Sequence, residues 1–178
     1  MPRKSSQIAL GGAFSALCFV LMLLTGVIPF AMFALPALAG AMLIAVVVEV
    51  GARVAMMVYV SVSLLSAFII ADRMAAILFI FFLGYYPILK AKIECIGPRL
   101  LEMAVKFAVF NLSAVIAYQI AMSMFGAREA LEQTGVFGRF GPLIILVFGN
   151  VVFFIYDVAL TRYASIYTHR LRKRILRK

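Results

Sequence analysis

QIALGGAFSALCFVLMLLTGVIPF, residues 7–30, carries no charged side chain. It runs longer than the roughly 20 apolar residues a helix needs to cross a bilayer. Its first half is narrow. Ala9, Gly12, Ala13 and Ala16 follow the i, i+3, i+4, i+7 rule and so share one face of a helix. Lipid chains are as apolar as leucine, so hydrophobicity does not drive helices together inside a bilayer. Small side chains do, by letting two backbones approach closely. The stripe therefore marks a place where another helix passes, either within this chain or from a partner.

The rest of the chain repeats the first signal. Of 178 residues, 66% are hydrophobic and only 13% charged, and mean hydropathy is +1.11. A soluble domain of this size needs far more polar surface, and the runs are apolar on every face, not alternating as barrel strands are. The first run is too long for a signal peptide, and no small-residue cleavage site precedes a soluble domain. The sequence predicts an all-α integral membrane protein with six spans, at 7–29, 32–50, 53–71, 74–91, 102–125 and 139–163, in one transmembrane domain, 1–163. A basic tail, 164–178, follows it. The gap from Pro29 to Pro36 is wholly apolar and reads as a re-entrant or tightly folded turn. Ala71-Asp72-Arg73 allows only a tight turn, and 92–101 reads as a loop broken by Gly97-Pro98.

Lys and Arg set the orientation. With six spans both ends share a side. That side holds Arg3, Lys4, Arg53, Lys90, Lys92, Arg99, Lys106, Arg162, Arg170, Arg172, Lys173, Arg174, Arg177 and Lys178, leaving Arg73, Arg128 and Arg139 for the other. Fourteen of 17 cations on one side make that side cytoplasmic. The net charge of +10 thus needs no nucleic acid. The tail THRLRKRILRK suits a helix in the interface that meets anionic lipid head groups.

Polar groups at membrane depth are costly without a role. Asn111 and Gln119, eight apart in span five, lie near one face, and Asn150 in span six falls at a depth similar to Asn111. Two readings stand side by side: amides that pair across helices, or amides that bind a ligand. Tyr118 adds a hydroxyl. Ser61, Ser63 and Ser66 are each read singly as bonding back to their own helix. Arg128, Glu129, Glu132 and Arg139 lie in an external loop long enough to act as a lid, with Arg139 placed to meet a negative group. Asp157 reads as a charge-neutralising partner of Lys90, Lys106 or Arg162. Tyr85 and Tyr86 read as interfacial anchors, and Pro87, lacking a backbone donor, as a bend.

Cys18 and Cys95 show no paired spacing, and the one histidine, His169, makes no cluster, so no metal site is expected. No paired carboxylates, phosphate loop or nucleophile–histidine pair appears at membrane depth. The chain reads as no enzyme and as holding no cofactor.

Six spans in a short chain, cytoplasmic ends, Ala9 and Ala13 in an Ala-xxx-Ala motif and an apolar first external loop resemble the substrate-binding S component of energy-coupling factor (ECF) vitamin transporters. The resemblance implies that Ala9, Gly12, Ala13 and Ala16 dock on a shared transmembrane coupling subunit. Two partner ATPases would hydrolyse the ATP, and a small micronutrient would bind outside in a bacterial plasma membrane. Asn111, Tyr118, Gln119, Arg139 and Asn150 are then the expected ligand residues. A membrane scaffold like the rod-shape-determining subunit is the alternative, and a small membrane enzyme is a weaker one.

Overall fold

Every described element is helical. The computed structural model describes residues 4–94, 98–125 and 136–168. Helix α1 spans Lys4–Leu24, α2 Ala34–Glu49, α3 Ala52–Ile69, α4 Arg73–Leu78, α5 Tyr86–Ile93, α6 Arg99–Phe125 and α7 Val136–Ile166. A π-turn, Phe79–Leu83, joins α4 to α5 and makes them one rod, Arg73–Ile93. With that rod counted once, five helices among the described residues are long and apolar enough to cross a membrane. The sixth, α2, has 16 residues. At 1.5 Å per residue it is about 24 Å long, somewhat short of a hydrocarbon core of about 30 Å.

The short helix is the central one. Helix α2 touches α1, α3, the π-turn, α5 and α7, and it buries Leu35, Pro36, Ala39, Gly40, Leu43, Ile44, Ala45 and Val46. The α4–α5 rod is its inner companion. Helices α1, α6 and α7 expose most of their apolar side chains outward, as lipid-facing helices do.

The connections are as tight as the sequence predicts, each for a local reason. Gly51, with φ +108°, ends α2 and opens α3 directly; that backbone is the left-handed region only glycine enters freely. Between α3 and α4, the Asp72 carboxylate accepts from the Ala75 N–H at 3.1 Å, and Arg73 Nη1 donates to the Ala67 carbonyl at 2.7 Å. One residue caps the new helix and the next caps the old one. The apolar 29–36 gap is a 3-10 turn, Pro29–Ala31, then two turn residues, Met32 and Phe33, and the first turn of α2. It projects Phe30 (97% exposed) and Phe33 (61%) outward.

Two cores fill the bundle. Cys18, Met22, Ala39, Leu43, Val46, Ala55, Val58, Val62, Ile70, Phe79 and Ile88 join α1, α2 and α3 to the rod with mostly aliphatic side chains. Ile44, Tyr86, Phe110, Phe153 and Leu160, with Phe82, Phe107, Tyr156 and Tyr163 against them, join α2, α5, α6 and α7 with rings. Phe110 and Phe153 stack at 4.7 Å, and Phe82 meets Phe110 edge-on at 5.0 Å.

Candidate functional site

Helix α1 turns its slim face away from the protein. Gly11, Cys18 and Met22 are the buried positions: a Cβ on Gly11 would lie 3.2 Å from Val54, and Cys18 Sγ sits 3.4 Å from the Ala39 carbonyl. At 100° per residue, the stripe of Ala9, Gly12, Ala13 and Ala16 is centred roughly 150° around the helix from that face. All four are exposed, and a Cβ on Gly12 would meet nothing within 4 Å. Packing within the chain is one of the two explanations the sequence leaves open. Among the described residues, that is not what this stripe does.

The amides do meet. Asn111 Nδ2 donates to Asn150 Oδ1 at 3.1 Å, and Asn150 Nδ2 donates to Asn111 Oδ1 at 3.0 Å. Each second amide hydrogen goes four residues back along its own helix, to the Phe107 and Leu146 carbonyls, both at 2.8 Å. All four amide hydrogens are used, so the pair offers a ligand only leftover acceptor lone pairs. Gly149, beside Asn150, allows the close approach; a Cβ there would lie 3.2 Å from the Phe110 ring. Gln119 is exposed and Tyr118 half-buried on the C-terminal half of α6. Arg139 falls in the first turns of α7 with its side chain outside the described part. Arg128, Glu129, Glu132 and the tail from His169 onward also lie outside the described residues.

Asp157 is paired, as its depth requires. It accepts from Lys90, and its other oxygen lies 3.4 Å from Lys106. Glu94 bridges the two ammoniums at 2.7 and 3.3 Å, and Glu102 holds Lys106 at 2.5 Å. Lys90 and Lys106 are 3% and 4% exposed. Arg162, the third partner considered for Asp157, is exposed. The cluster ties α5, α6 and α7 at one end of the bundle. Tyr167, just past the end of α7, reaches Glu49 of α2 at 3.4 Å at the same end. Among the described residues no group of three His, Cys, Asp or Glu side chains is placed to hold a metal ion.

Two tyrosines need correction. Tyr86 is fully buried and donates to Asp157 at 2.6 Å; Tyr85 is half-buried and bonded to Ser113. Neither anchors an interface. The aromatic-belt signal registers that a ring lies near a helix end and is blind to whether it points in or out.

Pro87 sits in the first turn of α5, just after the π-turn, whose loosened backbone is repaired by other tyrosines. Tyr59 donates to the Ile80 carbonyl at 2.6 Å and Tyr156 to the Leu83 carbonyl at 3.3 Å. Irregular backbone at membrane depth survives only where protein supplies such partners. Gly40 and Gly84 make room: a Cβ on Gly40 would overlap the Leu83 carbonyl, and one on Gly84 would lie 2.7 Å from the Tyr59 ring.

Comparison with known families, with characterised proteins and with solved structures returns no match for this chain.

Proposed function

We propose that this chain is the substrate-binding membrane subunit of an ECF-type importer, crossing a bacterial plasma membrane six times with both ends cytoplasmic. The observation that carries the reading is the outward direction of Ala9, Gly12, Ala13 and Ala16. A stripe of small side chains that no described helix of its own chain covers suits a second protein whose helices must come close. The coupling subunit of such an importer is that protein, and two ATPases drive it. The cation-rich end of the bundle holds Arg53, Lys92, Arg99 and Arg162 exposed, which fits a cytoplasmic side and contact with anionic lipid. The stripe lies on the same half of α1, where Gly11 packs beside Val54 near the start of α3.

Ligand capture belongs to the opposite end. The closed Asn111–Asn150 pair favours the tie between α6 and α7 over direct binding. Tyr118, Gln119 and Arg139, nearer the outer end, are then the residues to meet a small micronutrient, with the apolar 29–36 segment as wall. Native mass spectrometry of the gently purified protein tests the reading. It should detect a large membrane subunit, two ATPases and a small molecule, and Ala13→Trp should lose the subunits while keeping the small molecule. Wild-type complex yield from Ala13→Trp would reject the docking face.

A further inference from the structure

From Ser5 to Val48 no side chain carries a charge, and that run includes the whole turn between α1 and α2. Two other turns differ. Glu49 and Arg53 flank the one from α2 to α3, and Asp72 and Arg73 stand at the one from α3 to α4. The α1–α2 turn instead presents Val27, Ile28, Phe30 and Phe33 outward, Val27 at 77%. Phe68 (82%) and Ile69, at the end of α3, extend this rim, since a Cβ on Gly26 would lie 3.7 Å from that of Ala71. So much apolar surface in one place is ill suited to water.

The backbone of the turn suits the same surroundings. Its N–H groups at Thr25, Gly26, Val27, Ile28 and Ala31 donate to the carbonyls of Met22, Leu23, Leu24 and Ile28. The Thr25 hydroxyl returns to the Met22 carbonyl at 2.7 Å, and Pro29 has no N–H to satisfy. Hydrocarbon tolerates irregular backbone only where protein supplies such partners. Length points the same way. Helix α2 falls about 6 Å short of a hydrocarbon core of about 30 Å. The 3-10 turn Pro29–Ala31 adds about 6 Å, at about 2.0 Å per residue, so it completes the crossing. We propose that the α1–α2 turn and the end of α3 are seated in the leaflet opposite the ion cluster, with their rings among phospholipid acyl chains. Leu35 and Pro36 face inward, so this lipid seat goes beyond the importer reading and does not rest on it.

The chain contains no tryptophan, so a single introduced one reports its own surroundings. Phe30→Trp is reconstituted as the full chain, without partner proteins, in phosphatidylcholine vesicles whose acyl chains carry bromine. Lys92→Trp, at an exposed position of α5 toward the cation-rich end, is the control. Bromine near the carbonyl end of the chains should quench Phe30→Trp about twofold, and more than bromine near the methyl end, as suits a ring roughly 5–10 Å below the head groups. Aqueous acrylamide should quench Lys92→Trp and spare Phe30→Trp. If brominated lipid leaves Phe30→Trp at full emission, the seat is rejected. Quenching by acrylamide would then put the turn in water, and protection from both quenchers would put it against protein, a second copy included. Phe33→Trp decides the matter in the same way should Phe30→Trp fail to fold.

Discussion

The two halves of this bundle are held by different physics. Helices α1, α2 and α3 pack through small and aliphatic residues, with glycines and alanines at the close approaches and Cys18 against the Ala39 carbonyl. Helices α5, α6 and α7 are joined by directional contacts: three ion pairs that cross between them, two reciprocal amide bonds and a lattice of rings. Packing by shape alone leaves a face that another backbone can share. Packing by charge and hydrogen bond closes on itself, since every partner is used. The difference explains why the outward small stripe is on α1, and why the amides read from the sequence as ligand groups are occupied with each other.

The comparison breaks most visibly at the ion cluster. Asp157→Asn leaves the two buried ammoniums to Glu94 and Glu102 alone, and the expected loss is about 2–3 kcal/mol, read as a lower thermal midpoint in detergent. Lys90→Met combined with Asp157→Leu should recover part of it, because an apolar pair carries no desolvation cost. An unchanged midpoint in Asp157→Asn would mean the cluster does not tie the C-terminal helices.

Gly40→Ala comes next. Its methyl group overlaps the Leu83 backbone carbonyl, which no side-chain rotation relieves, so a loss of about 1–3 kcal/mol is expected from overpacking. Gly12→Ala, with open space around it, should cost nothing. Asn150→Leu removes the α6–α7 tie and strands the Asn111 amide. Interhelical bonds of this kind are worth about 0.6–2 kcal/mol in membranes. The loss should appear with and without ligand, and any drop in uptake should track the lost protein. An uptake defect at unchanged stability would return Asn150 to the ligand site.

Much of this fold is legible in the sequence because a bilayer removes choices. The breaks read at Ala71-Asp72-Arg73 and around Pro98 fall within a few residues of helix ends. Asp157 is readable for the same reason: a carboxylate at that depth needs a cation, and Lys90 and Lys106 are at its level. What sequence hides is direction. Four small residues define a face of α1 and say nothing of where it points, and Tyr85 and Tyr86 carry the same composition signal facing inward as outward. The π-turn is hidden because FIFFLGYYP reads as apolar helix, and a five-residue hydrogen-bond step leaves no periodicity in so short a run.

Adjacent glycines in α1 put the central contrast to one test. Gly11 faces Val54 and Val58, while Gly12 faces open space. Gly11→Leu and Gly12→Leu are compared for thermal midpoint of the isolated chain and for yield of co-purified partner subunits. Gly12→Leu should keep or slightly raise the midpoint, since leucine is the better helix former by somewhat under 1 kcal/mol, and it should lose the partners. Gly11→Leu should lower the midpoint by wedging α1 from α3. Equal destabilisation by the two variants, or full partner yield from Gly12→Leu, would contradict an outward docking face.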